Sequence, residues 1–438
     1  MPEAARKVIR TYLLISGLFW LAASVIWGVN TLFLLDAGLT LFETFVANAA
    51  WTAGMVVFEI PTGLVADTLG RRVSFLLSAS VLAIGTLGYV VISWTGGGLV
   101  PFVLVSVVLG LAYTFYSGAV EAWLVDALHA VGFSGELDPV FAKGGVVASA
   151  AMLVGTVGGG ALGTLDLGFP YLARSVLLVL AFVVAFAWMR DEGFTPRALR
   201  LRTVRREVGD VARASLRHGW GRPAVRLLML VSFIQFGVGA WAFYAWQPYF
   251  LELLGRGDLI WVAGVVAALI ALARICGNAL VSVVARPGRR RSTILGVAAA
   301  AYAISLILVG LTSSFFLAVA IFVGGILVSG MAGPVKQAYL HEMIPSAQRA
   351  TVVSFDGLFG SLGSVGGQVG LGWLAQARSI PAGFVVGGGA ALLALPLLAS
   401  LRRRAERADR IRSPQPDEQA AADAAGSGGE APTDAAPR

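Results

Sequence analysis

Charged side chains are scarce in this 438-residue chain, where Asp, Glu, Lys and Arg make up 13% and hydrophobic residues 57%. Soluble globules carry roughly a quarter charged residues, so a water-soluble domain is excluded. A single cysteine, Cys276, lies inside an apolar stretch, which rules out an internal disulfide and a cysteine metal site. His129, His218 and His341 are far apart and lack ligand spacing, so no metal is expected. The lysines are limited to Lys7, Lys143 and Lys336, and none stands in a Gly-x-x-x-x-Gly-Lys-Ser/Thr loop. ATP is therefore not the direct energy source, and no cofactor is implied. Neither His-Glu-x-x-His nor a Ser or Cys beside a base occurs, which argues against an intramembrane enzyme. A charged start followed by a short apolar core and a cleavage site is also missing. Instead Arg6, Lys7 and Arg10 lead into a run long enough to span, so the first helix is expected to stay uncleaved.

What the chain has in quantity is long apolar runs. A bilayer-spanning helix needs about 20 apolar residues. Twelve such segments fall near 9–35, 42–64, 73–94, 99–125, 142–165, 169–190, 225–252, 259–285, 291–312, 315–340, 350–377 and 380–400. Placing the N-terminus inside puts all but Arg174, Arg256, Arg274 and Arg378 of the 33 basic residues on the cytoplasmic side. Basic loops stay inside, so both termini are expected in the cytoplasm of a multi-pass cell-membrane protein. The net charge of +8 lies between apolar spans, where it meets anionic lipid rather than nucleic acid.

Gly63-Leu-Val-Ala-Asp67-Thr-Leu-Gly70-Arg71-Arg72 concentrates glycine and charge between two apolar runs. It reads as a short cytoplasmic turn in which glycine lets the chain reverse within a few residues. Its Asp and Arg side chains can pair across a seam and latch one conformation. This spacing, preceded by Glu59-Ile-Pro61-Thr-Gly63, resembles the loop between the second and third helices of the major facilitator superfamily of secondary transporters. The resemblance implies an all-α fold of 12 transmembrane helices in two pseudo-symmetric six-helix bundles. It also implies a gating relay of Asp67, Arg71 or Arg72, and Asp126. The stretch from Pro345 to Arg349 resembles the family's short loop before helix 11, and Gly155-Thr-Val-Gly-Gly159-Gly160 its antiporter motif in helix 5, without that motif's proline.

The two halves resemble each other. Gly70-Arg71-Arg72 returns as Gly288-Arg289-Arg290, with Ala285 in place of the aspartate. Glu121 to Asp126 returns as Gln337 to Glu342, and Gly159-Gly160-Ala-Leu-Gly163 returns as Gly366-Gly367-Gln-Val-Gly370, all displaced by 207 to 218 residues. A duplication of this kind suits a substrate site at the midplane. The expected organisation is a bundle over 1–190, a basic linker over 191–224, a bundle over 225–400 and a disordered tail over 401–438. In the linker, Leu201, Val204, Val208 and Val211 share a helical face, which reads as a helix on the inner leaflet or as a flexible basic link. With aspartate missing from the second turn, a weaker or different charge lock is expected there. Glycines at four-residue spacing, 155/159/163, 363/367 and 366/370, are expected to let helices approach closely.

Carboxylates inside lipid are costly. Glu59 and Glu121 are proton-coupling candidates if they face one cavity, and hydrogen-bonded or paired structural groups otherwise. Arg274, in the middle of the eighth span, needs a counter-charge or water. Glu59, Glu121 or Asp356 could supply the first, and so could an anionic group of the substrate. Asn30, Gln235 and Tyr244 are cavity candidates among the aromatics Trp20, Trp27, Phe33, Trp241, Trp246 and Tyr249, some of which could instead form an interfacial belt. The resemblance implies alternating-access transport of a small molecule by a monomer in contact with membrane lipid. Its drug:proton antiporters suggest efflux of hydrophobic or drug-like compounds; the alternative is uptake of a solute or export of a metabolite.

Overall fold

The computed structural model describes residues 2–194, 213, 220–344, 348–404 and 407–411, and of Ile60, Ala350 and Thr351 the backbone alone. Nearly all of it is helix. In the first half come α1 (Glu3–Ser24), α2 (Asn30–Asp36), α3 (Leu41–Leu69), α4 (Arg71–Thr95), α5 (Leu99–Tyr116), α6 (Ala119–Ala130), α7 (Asp138–Leu165) and α8 (Phe169–Trp188). The second half holds α9 (Pro223–Leu254), α10 (Ile260–Ala279), α11 (Val281–Val284), α12 (Arg291–Leu311), α13 (Phe315–Gly330), α14 (Ala332–Met343), α15 (Arg349–Ala377), α16 (Ile380–Leu392) and α17 (Ala394–Arg403). Taken with their continuations, these form the twelve expected spans, because α1–α2, α5–α6, α10–α11, α13–α14 and α16–α17 are broken single crossings. Among the described residues, 10 helices are long and apolar enough to cross a membrane on their own. The two that fall short are the first span, broken at 25–29, and α15, whose glycines, serines and Asp356 dilute its apolar character.

Each half packs its own core, and the halves meet along three helix pairs. The first-half core runs from Ala5 to Met189, and two second-half cores are centred on Trp241 and Tyr339. Across the divide α7 packs on α10, α3 on α15, and α2 on α9. The tightest crossing is made of glycine. A Cβ on Gly160 would lie 2.6 Å from Gly264 Cα, and one on Gly28 would lie 3.2 Å from the same atom. Of the glycine stripes, 155/159/163 packs against 21–29 and Ile260, and 363/367 packs against α9, whereas Gly366 and Gly370 meet nothing within 4 Å. The four-residue pattern thus serves close packing in the first two stripes and not in the third.

The turn near Asp67 is shorter than expected. Helix α3 continues to Leu69, so Gly63 sits inside it with open space beside it, and Gly70 alone makes the reversal at φ +105°. Asp191, just beyond α8, accepts from the Arg72 amide at 2.9 Å and so satisfies an amide at the start of α4.

The same device recurs in the second half. Asp409 accepts from the amide and hydroxyl of Ser292 at 2.8 and 2.9 Å, near the start of α12. Backbone bonds Gly288 N to Ile411 O (2.9 Å) and Ile411 N to Arg289 O (3.0 Å) dock this segment on the turn. The structure therefore corrects the expected tail boundary: ordered chain runs past 400 to 404 and again over 407–411, because Asp409 is buried as a cap. Residues 412–438 and the linker face at 201, 204, 208 and 211 lie outside the described residues, as do 345–347 of the loop before α15. Replacing Asp409 with Ala removes a buried acceptor from two donors and should cost about 1–3 kcal/mol. Thermal unfolding of the full chain measures this, and an unchanged midpoint would refute the capping role.

Candidate functional site

Among the described residues, the ion pairs of Arg71 and Arg291, at the face that carries Glu3 and Asp409, each close within one half. Arg71 bonds Asp67 at 2.7 Å and lies 4.0 Å from Asp126. Arg71 thus completes the expected relay, while Arg72 turns away to donate to Phe186 O at 2.6 Å, its guanidinium over the Phe186 ring. The latch across the seam that the motif suggested is corrected here: these groups bind neighbours inside the first half. Burial raises the Asp191 carboxyl above the usual range, and the Arg72 amide and the charges of Arg72 and Arg71 pull it back. A folded-state pKa lying above the unfolded one means that this group adds stability as pH falls through that range. In the second half Arg291, largely buried, grips both carboxylate oxygens of Glu342. Of the two expected outcomes, a weaker or a different lock, the structure has a different one: a bidentate pair, the stronger geometry for arginine and carboxylate.

A second polar network lies deeper in that half. Lys336 Nζ of α14 is 2.6 Å from Asp356 Oδ2 of α15, with side-chain exposures of 17% and 9%. Ser232 of α9 donates to Asp356 Oδ1 at 2.6 Å and accepts from Lys336 at 2.7 Å. Three spans are tied by three short contacts, so Asp356 is not available to Arg274, which removes one of the partners expected for it. Arg274 is exposed on α10, has no ion pair or hydrogen bond among the described residues, and lies in electrostatic reach of Tyr302. On sequence alone Lys336 reads as a loop marker only. A lysine and an aspartate inside successive spans are the signal that could have paired them.

Glu59 and Glu121 are both exposed, and both act electrostatically on Tyr113, which places them around one ring. Neither has an ion-pair partner among the described residues. From Tyr113 a chain of rings leads away from the terminal face. Its centroid distances are 6.0 Å from Tyr113 to Tyr116, 6.4 Å to Trp20, 6.4 Å to Trp27, 6.1 Å to Phe243 and 5.0 Å to Tyr244. Trp20, Trp27, Phe243 and Tyr244 are half-buried. Trp241, Trp246, Tyr249 and Phe33 are instead core residues, at most 3% exposed, so they form neither cavity wall nor interfacial belt. Gln235 is half-buried with its Nε2 enclosed and unpartnered.

Among the described residues, five side-chain hydrogen bonds join the halves. Thr31 donates its amide to Gln247 Oε1 (2.8 Å) and its hydroxyl to Tyr244 O (2.9 Å), and Gln247 Nε2 donates to Trp27 O (2.9 Å). Phe42 N to Gln376 Oε1 (3.3 Å) and Gln368 Nε2 to Thr52 Oγ1 (3.4 Å) complete the set. All lie toward the face away from the termini. Asn30, at the start of α2, donates to the Tyr171 hydroxyl at 3.1 Å. Breaking one member of the Lys336–Asp356 pair should cost about 3–5 kcal/mol, because the other charge is left buried. We expect Lys336→Met combined with Asp356→Asn to unfold far nearer the parent than the two single losses would sum to; strict additivity in thermal unfolding would show the pair uncoupled.

Comparison with known proteins gives three findings. A family model described as Major Facilitator Superfamily matches residues 258–428. An uncharacterized MFS-type transporter, YxaM of Bacillus subtilis (strain 168), is 21% identical over 390 residues, which is 85% of this chain and 90% of that protein. Among solved structures, nucleoside transporter NupG superposes at TM-score 0.73 with 10% identity, over 92% of this chain and 100% of its own. A D-xylose-proton symporter superposes at 0.66 with 15% identity, over 90% and 97%. At these identities the structural likeness is one of fold.

Proposed function

We propose that this chain is a transporter of the major facilitator superfamily, a reading supported by the family-model match over 258–428 and by its fold, and that it moves a small organic molecule by proton-coupled alternating access. The observation that carries the reading is the one-sided closure of the halves. Among the described residues, glycine crossings and five hydrogen bonds hold them together away from the terminal face, while the ion pairs of Arg71 and Arg291 at that face each stay within a half. Two rigid bundles joined at one end can rock to expose a shared cavity to either side. With both termini in the cytoplasm, as the basic residues indicate, this is the state open to the cytoplasm. The half-buried aromatic chain from Tyr113 to Tyr244 offers apolar, ring-shaped surface to an amphipathic compound. Entry from the cytoplasm favours export of such compounds.

Uptake is the second reading, favoured by the likeness to a solved proton symporter. Glu59 and Glu121, exposed, both in electrostatic reach of Tyr113 and without a cationic partner among the described residues, are the proton carriers in both readings. Gly63, Asp67, Gly70, Arg71, Arg72 and Asp126 shape and stiffen the first half's inner end, and Asn30, Gln235, Tyr244 and Arg274 face the solute.

Reconstitution in vesicles tests this. Saturable counterflow driven by an imposed pH gradient is expected, and Glu59→Gln with Glu121→Gln should uncouple it, leaving exchange while abolishing accumulation. Accumulation that persists in the double variant would remove both glutamates from coupling, and flux without saturation would remove the transporter reading. The direction of accumulation relative to the gradient separates export from uptake.

A further inference from the structure

The first half contains a guanidinium with nothing to balance it. Arg174 lies in the second turn of α8, at the end of the bundle away from the termini, and is half-buried. It has no hydrogen bond or ion pair among the described residues, and its Nε is enclosed without a partner. The groups that act on it are the phenols of Tyr171, Tyr89 and Tyr244, contributed by α8, α4 and α9. Tyr89 already engages Ser106 at 2.5 Å, and Tyr171 accepts from Asn30, whose own Oδ1 is buried and unsatisfied. Tyr244 is half-buried and ends the chain of rings that begins beside Glu59 and Glu121.

A guanidinium inside a membrane bundle is unfavourable unless something shares its charge, and phenols do so only weakly. We propose that Arg174, with Tyr244, Tyr171 and Asn30 around it, is an anion-binding subsite that takes the carboxylate of a transported organic acid. This builds on the transporter reading above and names a solute class for it. One guanidinium balances one negative charge and offers two parallel N–H donors that match a carboxylate's two oxygens. A doubly charged phosphate would leave net charge buried. The aromatic chain then accommodates the acid's ring, so that the solute lies with its charged end toward Arg174 and its apolar body along Trp27 and Phe243. The site straddles the halves, because Tyr244 belongs to the second and the rest to the first. Occupancy therefore bears on whether the outer end stays closed.

The test uses the purified full chain at matched ionic strength, with benzoate, neutral benzamide and sodium chloride as probes. Tryptophan fluorescence and the thermal unfolding midpoint are both read. We expect saturable benzoate binding at least about tenfold tighter than benzamide, the scale of a charge-assisted contact. Arg174→Gln should erase that preference, Arg174→Lys should keep part of it, and Arg256→Gln, a surface control, should match the parent. Should Arg174→Gln fail to fold, the Lys variant and Tyr244→Phe carry the comparison, each expected to weaken benzoate more than benzamide. The proposal falls if benzoate shows no saturable binding, if its preference survives Arg174→Gln, or if chloride alone gives the Arg174-dependent response. Binding is read without transport, so a failed counterflow assay with intact benzoate selectivity would sink the transporter reading and leave the subsite, and the reverse result would do the opposite.

Discussion

Charge inside a hydrocarbon layer must be paired, hydrated or held for a ligand, and the layout of this protein follows from how each charged group meets that demand. The second half pairs its charges. Arg291 takes Glu342, and Lys336 takes Asp356 with Ser232 filling the remaining valence. In the first half Arg71 pairs with Asp67 and Asp126 at the terminal face. Deeper in, Glu59 and Glu121 stand open, and Arg174 stands apart from any carboxylate. Unpaired groups are those whose state can change when a proton or a solute arrives, so the capacity to respond is concentrated in the first half. The second half supplies a more rigid counterface, to which Arg274, exposed on α10, is the exception.

The duplication explains both the likeness and the difference. In each half a carboxylate from beyond the sixth span returns to the start of the third, Asp191 to the Arg72 amide and Asp409 to Ser292. That contact ties the peripheral end of each bundle to its signature turn, which makes each half one body for rocking. The repeat at 159–163 and 366–370 has diverged in use: Gly160 meets Gly264 of the other half, whereas Gly367 meets Gly237 of its own. One copy of the motif thus lies on the interface between the halves and the other inside one bundle.

Span number, halves and the basic-residue asymmetry are legible in the sequence because apolar length and arginine placement are properties of each segment alone. The relay through Arg71 is legible from a motif confined to a few residues. Partners are not. Whether Lys336 is a loop marker or a buried cation depends on Asp356 arriving from the next span, and whether Trp246 is a belt residue or core depends on Phe250 and its neighbours across the bundle. Arg174 reads as a loop exception because its distance from a helix end is short along the chain, although it lies in electrostatic reach of Tyr244 from the other half. Asp409 is hidden by composition, since a stretch of Ala, Asp and Arg has no apolar period, and the segment is held by the Asp409 cap, by backbone bonds to the turn and by Ala408 and Ile411 against the core.

The outer seam is matched in strength to what it must do. A hydrogen bond adds a net of about 0.5–1.5 kcal/mol, so the five that join the halves contribute a few kcal/mol together, and two of them, at 3.3 and 3.4 Å, are long. The glycine crossings add close contact through small residues, while Phe45 stacks on Trp241 and Trp27 packs on Phe243 across the divide, so separation also parts these rings. Moving a two-state equilibrium from one side almost wholly to the other needs about 5.5 kcal/mol of differential binding. An ion pair or a protonation change of the kind available at Glu59, Glu121 and Arg174 lies on that scale. Small residues, neutral amides and a few rings such as Phe45 on Trp241 share the seam, so its hold is spread over many individually weak contacts.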